Sequence, residues 1–136
     1  MQSEPRWLTP GEVIDLNQRV VAATGEPFGL LSPELLESAL GSPQSHWVYE
    51  EENDAVSLAV TLLFALARNH PFEQGNKRTG FEAALIFLMA NGYTYDDDLP
   101  DSEELAHLIT AVIAHERNEA DFDIFIRPHI IPLNDE

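Results

Sequence analysis

Residues 70–80 read His70-Pro71-Phe72-Glu73-Gln74-Gly75-Asn76-Lys77-Arg78-Thr79-Gly80. The stretch decides the fold because a strongly apolar helical run lies on each side of it. Upstream, Ala55 to Leu66 is apolar on nearly every side, the pattern of a buried central helix. Asn53 or Asp54 can cap that helix, which reaches about Arg68. It is too short to cross a membrane, which takes about 20 apolar residues. Downstream, a second helix is expected from Asn76 to Asn91, with Phe81, Ala84, Leu85, Leu88 and Met89 facing inward and Gly92 closing it.

Working outward, Thr9-Pro10-Gly11-Glu12 has the form of a capping box, with Pro10 at the first helical position. Val13, Ile14, Leu16, Val20 and Val21 continue it as an apolar stripe to about Thr24, and residues 25–29 break the pattern. Ser32-Pro33-Glu34 opens a shorter helix with Leu35, Leu36, Ala39 and Leu40, for which Gly41 is the natural stop. Residues 42–52 read as loop, with Pro43, Trp47, Tyr49 and three glutamates. Asp96-Asp97-Asp98 and Pro100 read as an acidic loop, and Ser102-Glu103-Glu104 caps a helix carrying Leu105, Leu108, Ile109, Val112 and Ile113. A short helix from Asp121 to Ile126 ends before Pro128, and the Pro-broken tail beyond it is expected to fray. Tyr93-Thr94-Tyr95 is the nearest thing to a strand. The expectation is one all-α domain over residues 1–136, with its core at about 7–127 and a tail at 128–136.

Composition narrows the function. The chain has 136 residues, 24 Asp and Glu, 7 Lys and Arg, and a net charge of −17. Such a surface argues against a duplex nucleic-acid binder and against docking on an anionic membrane. The absence of cysteine excludes disulfides, thiolate metal sites and a thiol nucleophile. Met1-Gln2-Ser3-Glu4-Pro5 lacks the basic and apolar regions of a signal peptide, so a soluble cytoplasmic protein is expected. The acid excess is read either as adaptation to a high-salt cytoplasm or as drift on a solvated surface. Three of the seven basic residues, Arg68, Lys77 and Arg78, fall between positions 68 and 78, and Lys77 is the chain's single lysine.

That concentration points at chemistry. A helix start offers unpaired N–H groups and a positive dipole end, which together attract anions. Gly75 lets the backbone approach a ligand closely. Lys77 and Arg78 oppose the dipole in the first turn, a local conflict that a bound polyphosphate relieves. Phe72 is an apolar anchor for the loop. His70 can take a proton from an attacking hydroxyl. The plainer readings are a histidine partnering a helix C-terminus, a solvated Lys-Arg pair and an ordinary Gly-Asn turn. The spacing is not that of a Walker loop.

His70-Pro71-Phe72 followed by Gly75-Asn76-Lys77-Arg78-Thr79 resembles the signature of the Fic/Doc superfamily. The Lys77-Arg78-Thr79 ending is most similar to the death-on-curing (Doc) toxin branch, whereas most Fic adenylyltransferases end in Gly-Asn-Gly-Arg. Leu8-Thr9-Pro10, Gly29-Leu30, the run Leu35 to Leu40, Ala84 to Leu88, and Asn91-Gly92-Tyr93 resemble Doc-like segments in the same places. The resemblance implies about six helices with the signature loop between the two central ones. It implies a nucleotide-dependent transferase: a toxin kinase that moves a phosphoryl group from ATP to elongation factor Tu, arrests translation and is neutralised by a cognate antitoxin. Carried over by position, His70 would be the base, Phe72 the anchor, and Gly75, Asn76, Lys77 and Arg78 the phosphate-binding set. The family's Mg²⁺-holding Asp or Glu is replaced by Gln74, a weaker ligand. The alternatives are AMP transfer to a protein hydroxyl and a non-catalytic binding module with a weakened metal site.

Overall fold

The structure is a computed structural model and describes residues 3–99 and 103–133. Among them are six α-helices and one two-stranded sheet. These are α1 (Pro10–Ala23), α2 (Pro33–Tyr49), α3 (Ala55–Asn69), α4 (Asn76–Ala90), β1 (Tyr93–Tyr95), α5 (Glu103–Ile113), α6 (Glu119–Ile126) and β2 (Ile130–Pro132). Pro100 and Ser102, expected in the acidic loop and at a helix cap, lie outside the described residues.

Helix α3 is the centre. Its Leu58, Ala59, Leu63 and Phe64 are fully buried, and it packs most extensively on α4 and then on α2. Asp54 starts it by accepting from the N–H groups of Val56 at 2.9 Å and Ser57 at 3.1 Å. Arg127 bridges Asp54 and Asp123, tying the end of α6 to the start of α3. The α3–α4 crossing is close: a Cβ on Gly80 would lie 2.7 Å from the carbonyl oxygen of Leu63. Helix α1 begins with the expected capping box, Glu12 N–H donating to Thr9 Oγ1 at 3.2 Å and Thr9 N–H to Glu12 Oε1 at 2.9 Å.

Three expectations are corrected. Helix α2 does not stop at Gly41 but runs through Gly41 and Pro43 to Tyr49, so residues 42–49 are helix rather than loop. An interior proline costs about 3 kcal/mol or more. Burial offsets that cost: Pro43 is buried, and Trp47 packs on the core with its ring edge-on to Trp7 at 6.3 Å. The helix stops where Glu51 turns left-handed (φ 56°).

In α4, Met89 faces solvent, not the core. The buried face runs through Gly80, Ala83, Ala84, Phe87 and Leu88, because α3, α1 and β1 all pack on this helix. The tail does not fray through residue 133. β2 pairs antiparallel with β1 (Tyr93 with Pro132, Thr94 with Ile131, Tyr95 with Ile130). His129 Nδ1 seals the pair on the Asp96 carboxylate at 2.9 and 3.0 Å. That contact holds the Asp96 carboxyl below its ordinary value.

Candidate active site

The signature stretch is the loop from the end of α3 to the start of α4. His70 closes α3 in the left-handed region (φ 53°, ψ 52°), its N–H donating to the Leu66 carbonyl at 3.2 Å. A non-glycine residue there costs roughly 1–2 kcal/mol. The imidazole is exposed, and among the described residues it has no hydrogen-bond partner. The plain reading of a histidine spent on its own helix end is therefore not what the side chain does.

The backbone then leaves the helix and is stapled to residues 29–32. Leu31 N–H donates to the Pro71 carbonyl at 2.8 Å, and Glu73 N–H to the Gly29 carbonyl at 2.8 Å. Phe72, fully buried, sits at the centre of this bridge opposite Leu30. Asn76 holds the same residue from the other side. Its Oδ1 accepts from Phe72 N–H at 3.0 Å and its Nδ2 donates to the Phe72 carbonyl at 2.8 Å, with the carboxamide buried. The loop is thus fixed by Phe72 and Asn76, one through packing and one through hydrogen bonds.

Gly75 caps α4 at φ 76° with no side-chain acceptor for the first-turn N–H groups. Those groups remain open to an anion. A Cβ at Gly75 would lie 3.2 Å from Val21 and 3.3 Å from Val20, so α1 presses on the turn from below. Lys77 is exposed and without an ion pair among the described residues.

Arg78 is differently placed. Its guanidinium turns onto the end of α1, donating to Thr24 Oγ1 at 3.2 Å and pairing with Glu26. Hydrogen bonds from Thr24, then Arg78, hold the Glu26 carboxyl below its ordinary value. Arg68, expected in the same positive spot, is not there. It pairs with Glu119 and lies over the Phe64 ring at 5.4 Å, facing α5 and α6. A cleft of about 390 Å³ runs from Lys77 and Arg78 along Phe81 to Leu105 and Ile109. A larger one, about 540 Å³, lies along Arg68 and the α5–α6 loop, but its arginines Arg68 and Arg117 are already paired with Glu119 and Asp121.

The metal position is thin. Gln74 is half-buried, and Glu73 is turned aside: a Cβ on Gly29 would lie 2.7 Å from its Oε1. Among the described residues no group of three or more His, Asp or Glu could hold a metal ion. Magnesium needs few protein ligands when phosphates supply the rest. The donor set therefore fits a metal brought in on a nucleotide and does not fit a resident one.

Two contributors were not read from the sequence. Glu26, which holds Arg78, carries no local signal. Asn17 carries one: it is a polar residue inside the apolar stripe of α1, one turn from Val13 and one from Val21. It is fully buried and donates from Nδ2 to the Gln74 carbonyl at 2.9 Å and to Thr79 Oγ1 at 3.0 Å.

Comparison with known proteins agrees with this geometry. The model of the Fic/DOC family matches residues 7–88, from the start of the chain's core through the signature loop and most of α4. The protein kinase Doc of Escherichia phage P1 is 37% identical over 103 residues, 76% of this chain and 79% of that protein. The family match spans more than half of the chain and includes the loop built by Phe72, Gly75 and Asn76, so the protein belongs to the Fic/DOC family.

Proposed function

We propose that this protein is a Doc-like toxin that transfers the γ-phosphoryl group of ATP to a hydroxyl of a protein, elongation factor Tu, and so arrests translation in the cytoplasm. A cognate antitoxin neutralises it. The observation that carries the reading is the uncapped first turn of α4, held between α1 and Phe72, with Lys77 beside it and without an ion pair among the described residues. The kinase name of the phage relative supports the phosphoryl outcome over AMP transfer, as does Lys77 where adenylyltransferases have glycine.

Phosphoryl transfer demands positioning, charge stabilisation and a base for the nucleophile. The N–H groups of Gly75 to Arg78 cradle the phosphates. Lys77 neutralises the charge that grows on them. Arg78 joins by exchanging the Glu26 carboxylate for a phosphate oxygen. His70, without another partner among the described residues, accepts the hydroxyl proton as that oxygen forms its bond to phosphorus and the bond to ADP breaks. Mg²⁺ brought in on the nucleotide would supply further charge neutralisation, and the Gln74 carboxamide oxygen would be the side-chain group to hold it.

The test is incubation of the protein with a bacterial lysate and ATP labelled in either the α- or the γ-phosphate. Label entering a protein from the γ position alone is the expected result. Label from the α position would establish AMP transfer instead. No label from either would leave the chain a non-catalytic member of its family.

A further inference from the structure

We propose that Asn17 is a positioning residue for the transfer, setting the direction of the Gly75 N–H that meets the phosphate. This rests on the function proposed above and assigns a role in it to a helix outside the signature loop. Asn17 lies on the buried face of α1, between Val13, Leu16 and Val21, where an aliphatic residue would continue the core. Its Oδ1 is buried without a hydrogen-bond partner. A buried acceptor left unmade costs stability, so packing alone disfavours asparagine here.

What the residue does hold is the turn. Nδ2 spends its two hydrogens on the Gln74 carbonyl at 2.9 Å and Thr79 Oγ1 at 3.0 Å. The first bond has a geometric consequence. The peptide joining Gln74 to Gly75 is planar, and none of the described residues has a cis bond, so its C=O and N–H point in opposite directions. Drawing the Gln74 carbonyl toward α1 therefore turns the Gly75 N–H away from α1, outward at the mouth of α4. The second bond fixes Thr79, whose own N–H donates to the Gly75 carbonyl at 2.8 Å and closes the first helical turn. Asn17 thus grips the turn on both sides of Gly75 and Asn76. Asn76 fixes the loop to Phe72, and Asn17 fixes its orientation toward the ligand.

The test uses Asn17→Leu, which fills the site and removes the unmade acceptor, and Asn17→Asp, which keeps the shape and cannot donate when ionised. Amide exchange is measured without nucleotide. Exchange of the Thr79 amide, whose N–H closes the turn on the Gly75 carbonyl, should rise at least tenfold in either variant, with α3 unchanged. ATP affinity should fall about tenfold or more, while KM for the protein substrate stays as it was. Unchanged exchange in a folded variant overturns the proposal, and so does faster exchange with ATP affinity intact. If the wild-type protein binds no ATP and transfers nothing, the proposed function fails. The exchange comparison then still decides whether Asn17 orients the turn.

Discussion

His70 occupies a backbone conformation that an L-residue adopts at a cost of roughly 1–2 kcal/mol, and among the described residues its ring has no hydrogen-bond partner. Strain kept where glycine would remove it marks a position held for its side chain. His70→Gly should therefore raise thermal stability, by about 1 kcal/mol, while lowering transfer by roughly 10²–10⁴-fold. Denaturation and labelling of the same preparation check both halves. Gln74 would make the opposite case, a neutral amide at the position where the resemblance implies a metal-holding carboxylate. Gln74→Asp should lower the Mg²⁺ concentration needed for half-maximal transfer at least several-fold, because a carboxylate binds a hard cation better than an amide. An unchanged Mg²⁺ dependence would show that the side chain is not a ligand. At this scale the sequence was legible where chemistry clusters along the chain, from His70 to Arg78. It was silent on Glu26, since a surface glutamate 52 residues away announces nothing about its partner. Arg68 misled because adjacency in sequence is not adjacency in space: it sits one residue before the end of α3 and turns toward α6.

Among the elements, α1 was legible from its capping box and apolar stripe, α3 from its cap and its all-round apolar run, and α4 from the apolar residues between the signature loop and Gly92. Helix α2 was not. Gly41 and Pro43 are local stop signals, and burial against α3 overrides them. Strand β2 was not legible either, because three residues paired with a partner 35 or more positions away leave no periodic trace. The α3–α4 crossing is the element-scale feature that places the site, since it sets where α4 starts relative to His70. Gly80→Ala should force the two helices apart, because the added methyl meets a backbone carbonyl at 2.7 Å. The expected cost is about 1–3 kcal/mol in chemical denaturation, together with reduced transfer. Full stability and full activity would show that the crossing is looser than described.

For the whole molecule, the charge of −17 is distributed unevenly. Arg6, Arg68, Arg78, Arg117 and Arg127 are each paired with carboxylates, while among the described residues Arg19 and Lys77 are not. Most of the 24 carboxylates repel one another across the surface. Raising KCl from low to molar concentration should therefore raise the melting temperature, as screening relieves the repulsion. A melting temperature that stays level or falls would remove self-repulsion from the account. The same field discourages phosphate ligands, and on the proposed reading the first-turn N–H groups of α4 and Lys77 would offset it at the mouth of α4.

The central claim is that this mouth, with His70 beside it, moves a phosphoryl group. It is tested most directly by the intact mass of purified elongation factor Tu after incubation with the protein, ATP and Mg²⁺. The account predicts a gain of about 80 Da with the wild-type protein and none with His70→Ala. No gain with the wild type, a gain of about 329 Da, or an equal gain with the variant would contradict it.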